Sequence, residues 1–137
     1  IGTVENFKQA LLDAKSVGYT NPATKASSGV HVAKILGELG IADVVNAKTT
    51  FGQGGSVAEL LITGEIEIAL QQISEHLLVE GVEVVGPLPG KIQLEITLAS
   101  GVHTQVSDRH AAATMINLLT SPDTHPILQR NGLFPLT

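Results

Sequence analysis

Cysteine is absent from all 137 residues, which excludes disulfides, thiolate nucleophiles and zinc-thiolate sites. A chain without cysteine suits an oxidising compartment. Tryptophan is also missing, and aromatic residues make up only 3% of the sequence. Positive charge is scarce: 8 lysines and arginines stand against 13 acids, for a net charge of −5. A nucleic-acid surface needs the opposite balance and usually aromatic rings for stacking, so that class is excluded. No run approaches the roughly 18 uninterrupted apolar residues of a membrane-spanning helix, and no signal-peptide pattern opens the chain. The first residues are Ile1-Gly2-Thr3, without an initiating methionine, so we expect a processed or excised piece, with any targeting segment lost along with the missing N-terminus.

Apolar content, by contrast, is ample. A hydrophobic fraction of 43% and a mean hydropathy of +0.26 are enough for one folded domain with a real core. Thr3 is placed to N-cap a first helix whose Val4, Phe7, Leu11 and Leu12 recur at helical spacing. Ser16–Thr20 reads as a strand closed by the turn signal Asn21-Pro22, and GVHVAKILGELG as a second helix stopped by Gly40. A short helical turn over IADVVNA and a strand at Lys48–Phe51 come next. A helix over Ser56–Thr63 and a strand over Ile66–Gln72 continue the alternation, followed by a turn of helix at ISEHLL. Val82–Val85 and Ile92–Ala99 read as further strands. Ser107-Asp108 caps a helix reaching Leu119, and Ser121-Pro122 restarts a last one ending at Asn131-Gly132. Strands alternating with helices predict an α/β fold on a mixed, mostly parallel sheet.

Three segments fall at the predicted carboxyl ends of strands, where open α/β sheets bind ligands. The first is TTFGQGGSVAELL, with Gly52, Gly54 and Gly55 crowded between strand and helix. It is neither a Walker loop nor GxGxxG, because no Gly-Lys-Ser/Thr follows and Val57 holds the third glycine position. It can offer backbone N–H groups to an anion, or simply turn a tight corner. The second is KASSGVHVAK, where Ser27 and Ser28 precede a helix N-terminus and either cap it or face a ligand. The third is LQQISEH, where one of Gln71 and Gln72 can face a cleft while the other meets solvent. Lys25 is the one cation in the loop before the second helix. The five histidines form no metal-ligand spacing, and GxSxG is absent, so neither a metal nor a cofactor is expected.

The order NPAT…SSGVHVAKILGELGI…GQGGSVAELLITGEIEIALQQISE…VEVVGPLP…SP…ILQRNGLFP resembles the C-terminal part of molybdate-type substrate-binding proteins of ABC transporters. The resemblance covers nearly the whole chain. It implies the second, three-layer helix-sheet-helix lobe of a type II periplasmic-binding-protein clamp over residues 1–94, with the first lobe missing. Residues 95–137 would be the return strand and C-terminal helices that rejoin that first lobe. Carried over by position, the ligand contacts fall on Ser28, Gly54 and Gln72, flanked by Ser27 and Gly55. At Gln72 the molybdate binders carry tyrosine, so the resemblance implies a small anion of either kind, a molybdate-like oxyanion or an organic acid. It also implies a periplasmic or extracellular protein that delivers its ligand to a membrane permease, without catalysis.

An enzyme on the same clamp is the alternative: an isomerase or lyase of a small carboxylic acid, with Glu75 or His31 as acid and base. A structural piece that binds nothing is the third. A lobe parted from its neighbour would expose apolar surface along Ile92–Ala99 and self-associate, which light scattering would detect.

Overall fold

The computed structural model describes residues 1–136. The chain divides into two units, Ile1–Leu94 and Glu95–Thr137.

The first unit is built on three short strands, β1 (Val17–Thr20), β2 (Thr49–Gly52) and β3 (Ile68–Leu70), in the order β2-β1-β3. Both pairings are parallel, with Val17 opposite Thr49 and Ile68, so Thr20, Gly52 and Leu70 end at one edge. Side chains alternate along β1. Val17 and Tyr19 enter a core with Phe7 and Leu11 of α1 (Val4–Asp13), Val32 and Leu36 of α2 (Ser27–Glu38), and Val45 of α3 (Ala42–Asn46). The opposite face lies under Val57 and Ile66: a Cβ built on Gly18 would come within 2.9 Å of Val57 and 2.5 Å of Ile66. These two residues flank α4 (Glu59–Ile62), which gives helices on both sides of the sheet.

Tyr19 locks the first face. Its ring meets Phe51 edge-on at 5.1 Å, and its hydroxyl donates to Asn46 Oδ1 at 2.7 Å. Burial raises its pKa further, so the hydroxyl stays a neutral donor. Lys48 Nζ donates to the carbonyls of Leu12 and Ala14, where a cation meets the last free carbonyls of α1. Thr3 caps the other end of α1, accepting from Asn6 N at 3.1 Å. At the end of α2, Gly40 adopts φ 68° and the chain closes with Ile41 N donating to Leu36 O at 3.0 Å.

Several expected boundaries move. The helix expected from Gly29 begins at Ser27, with Ala26 at the N-cap and no side-chain cap. The helix expected over Ser56–Thr63 shortens to four residues, because the turn that follows the glycines runs on through Ala58. The strands expected at Val82–Val85 and Ile92–Ala99 are not formed. Alternation gave them extended backbone, but neither finds a hydrogen-bonding neighbour in the three-stranded sheet, and residues 90–92 form a 3-10 turn instead.

In the second unit, α6 (Arg109–Leu119) is capped by Asp108 alone, which accepts from Ala111 N at 2.9 Å. The last helix splits into a 3-10 turn, Pro122–Thr124, and α7 (His125–Arg130), because Pro126 cannot donate a backbone hydrogen bond. No helix among the described residues is long and apolar enough to cross a membrane.

Candidate functional site

Because the three parallel strands end in register, the loops that follow them meet at one edge. A cleft of about 190 Å³ opens there. The chain leaving β1 supplies Thr20, Thr24, Ala26 and Ser28 to its wall, and the chain leaving β2 supplies Gln53, Gly54 and Gly55. Past β3 come Gln71, Gln72 and Glu75, the last on α5 (Ile73–His76).

The β1 loop is held by Asn21, whose Oδ1 accepts from Ala23 N at 2.9 Å and whose N–H donates to Gly52 O at 2.9 Å. This is an Asx turn, the local alternative to helix that asparagine offers. α2 then starts hard against β1. A Cβ on Gly29 would collide with the Thr20 carbonyl, so only glycine admits this approach. The approach sets Ser28 Oγ 3.4 Å from Thr20 Oγ1. That is long for a hydroxyl pair and leaves the Ser28 hydroxyl free for a better acceptor. The first N–H groups of this twelve-residue helix lie at the same place, with the positive end of its dipole.

The β2 loop turns on Gly54 at φ 147° and Gly55 at φ 75°, backbone that side-chain-bearing residues rarely adopt. Gln71 braces it from the neighbouring strand end. Its Oε1 accepts from Val57 N at 2.8 Å and its Nε2 donates to Gly55 O at 3.1 Å. Among the described residues, no acceptor takes the N–H of Gly54, Gly55 or Ser56. Gln72 has the opposite character: it stands at the N-cap of α5, yet its amide makes no cap hydrogen bond.

Four of the five sequence-derived candidates, Ser28, Gly54, Gly55 and Gln72, therefore line one cleft, while Ser27 is exposed and outside the lining. The expectation that the glutamines diverge fails, because both reach the wall: one as a brace, one free. His31 takes no part, since its Nε2 lies 2.8 Å from Ile92 O. Thr20, Thr24 and Gln53 were not singled out. The register of the strands could have found Thr20 and Gln53, because each sits at or one past an aligned strand end. None of the lining residues is a cation, and Lys25 is exposed and outside them. No group of three or more acids or histidines among the described residues could hold a metal ion.

Glu75 is the one charged residue in the wall. Its Oε2 is shielded from solvent and receives no hydrogen bond. The adjacent His76 has a buried Nδ1, also without a partner, and burial lowers its pKa below the ordinary histidine value. The unfolded chain therefore takes up this proton first as pH falls. The stability His76 contributes is whole above about pH 6.5 and is lost below it. Thermal melts at pH 7.5 and pH 5 are expected to show a drop that His76→Leu makes smaller; an equal drop in both proteins would remove the assignment.

A family model described as bacterial extracellular solute-binding protein matches residues 1–134. An aconitate isomerase from a Pseudomonas species is 31% identical over 138 aligned positions, covering 99% of this chain and 51% of its own length. The chain thus spans about half the length of that curated relative. No solved structure matches it significantly. A match across nearly the whole chain settles the family: this protein belongs to the bacterial extracellular solute-binding proteins.

Proposed function

We propose that the cleft at the carboxyl edge binds a small anion, a molybdate-like oxyanion or an organic acid, for delivery to the permease of an ABC transporter. The observation that carries this reading is the convergence of neutral donors with no cation among them. Ser28 Oγ, the N–H groups of Gly54 and Gly55, and the Gln72 amide all meet at the cleft. Fixed dipoles can hold an anion without a salt bridge, which suits a chain of net charge −5. Ile1–Leu94 then forms the second lobe of a clamp, and the segment from Glu95 onward returns to the first lobe in the periplasm. The span of about half a relative supports a two-lobed whole.

The test is a thermal-shift panel on protein containing both lobes, with molybdate, sulfate, succinate and aconitate. A ligand at a thousand times its Kd is expected to add about 4 kcal/mol of stability. Gly54→Val should remove the shift, because a β-branched residue cannot hold φ 147° and the loop's N–H groups would move. If no anion raises the melting temperature, the reading fails.

One observation favours a second reading. The relative is named an aconitate isomerase, and Glu75 places a carboxylate in the same cleft, where it could move a proton on a small acid. Isomerisation of aconitate, followed by absorbance and abolished by Glu75→Gln, would support it; binding without turnover would sink it.

A further inference from the structure

We infer that Glu75 selects the ligand: a small carboxylic acid that itself carries a hydrogen-bond donor, a hydroxyl or an ammonium, in preference to a bare oxyanion. The inference rests on the reading of the cleft as an anion site and adds the chemistry of its far wall. A site made only for a fully ionised oxyanion has no use for a carboxylate, which repels it. Here one stands in the wall, with an oxygen shielded from water and unmatched by any protein donor. A carboxylate in an otherwise neutral wall favours a ligand group that can donate to it and disfavours one that cannot.

The flanking groups do not neutralise that charge. Gln71 commits both ends of its amide to the glycine loop. His76 is pushed toward its neutral form and offers no ion pair. Lys25 is not among the lining residues. No cation in the wall neutralises Glu75, so a donor carried by the ligand would complement it. An alcohol keeps its proton at neutral pH and an amine carries an extra one, so both give Glu75 what it lacks. Molybdate and sulfate, fully deprotonated, give it nothing. The ligand's carboxylate would lie against Ser28 and the glycine loop, and its donor against Glu75.

The experiment compares ligands on one carbon skeleton: malate with a hydroxyl, aspartate with an ammonium, and succinate with neither, with molybdate as the oxyanion. Isothermal titration of protein containing both lobes is expected to show malate or aspartate at least about tenfold tighter than succinate and molybdate. Which of the two binds better identifies the donor as hydroxyl or ammonium. Glu75→Leu removes the acceptor and should shrink the advantage to less than about threefold. If that variant does not fold, Glu75→Gln keeps the shape and loses the charge, and should abolish any preference for aspartate while strengthening molybdate binding. Succinate binding as tightly as both malate and aspartate in the wild type, a preference that survives in Glu75→Leu, or an aspartate preference that survives in Glu75→Gln overturns the inference. Failure of every ligand, or binding indifferent to Gly54→Val, overturns the anion-site reading beneath it. Binding that is sensitive to Gly54→Val but blind to Glu75 overturns this inference alone.

Discussion

Replacing Gly29 by alanine is expected to lower the melting temperature by roughly 5 °C, although alanine is the better helix former. Two effects oppose each other. In a helix interior, alanine gains about 0.5–1 kcal/mol over glycine. At Gly29, however, the new Cβ would run into the Thr20 carbonyl, and backbone cannot rotate away as a side-chain tip can. Forcing α2 off β1 costs about 1–3 kcal/mol, so the clash wins. Gly37 supplies the internal control. It lies in the same helix, and a Cβ there meets nothing within 4 Å, so Gly37→Ala should raise stability by the propensity gain alone. Opposite signs for one substitution at two positions of one helix, read by thermal melts, test the close approach. If Gly29→Ala stabilises as Gly37→Ala does, the packing of α2 on Thr20 is wrong. Anion binding should fall with stability in the Gly29 variant, because Ser28 moves with the helix.

Gly29 also marks the limit of what the sequence discloses. Helical spacing located α2, and its apolar face of Val32, Ile35 and Leu36 is the buried one. Nothing in the string distinguishes a glycine that admits a strand carbonyl from one that faces solvent. That difference appears only once the strand is placed. The same holds for the two strands expected at Val82–Val85 and Ile92–Ala99. Alternation reports that a segment can extend; whether it pairs depends on a free neighbour, which is a property of the sheet. Short elements shrank for a related reason. α4 and α5 span four residues each, too few for periodicity to fix their ends against glycine turns and loop hydrogen bonds.

The site was more legible than the outer strands because its geometry follows from a rule of topology. Parallel strands in register bring the residues after them to one edge, so reading three strands correctly gathered the segments KASS, GQGG and LQQ, and the family resemblance picked Ser28, Gly54 and Gln72 within them. The helix expected over Ser56–Thr63 would have stood directly behind the glycines. α4 begins only at Glu59, four residues past Gly55, so the dipole at this cleft belongs to the longer α2. The glycine loop contributes free N–H groups and shape. What keeps that shape is a side chain whose role was invisible in sequence, Gln71.

Gln71→Leu is expected to lose both stability and binding, whereas Gln71→Glu should lose binding alone. The contrast comes from the two ends of the amide. Its Oε1 accepts from Val57 N, a group at a residue only 2% exposed, so removing it strands a buried donor at a cost of about 1–3 kcal/mol. Its Nε2 donates to the carbonyl of Gly55, an exposed residue, where water can substitute at little cost. Leucine matches the volume and removes both bonds, so the fold weakens and the glycine loop loses its brace. Glutamate keeps an oxygen for Val57 N and can strengthen that bond through its charge. It forfeits the bond to Gly55 and adds a second carboxylate to a cleft that already holds Glu75. Anion affinity should fall at least about tenfold in both variants, while the melting temperature falls only in Gln71→Leu. Gln72→Leu completes the set. Its amide makes no cap hydrogen bond, so its loss should reduce binding and leave the melting temperature nearly unchanged. If Gln72→Leu instead unfolds the protein and Gln71→Leu does not, the division of brace and ligand donor between these neighbours is reversed.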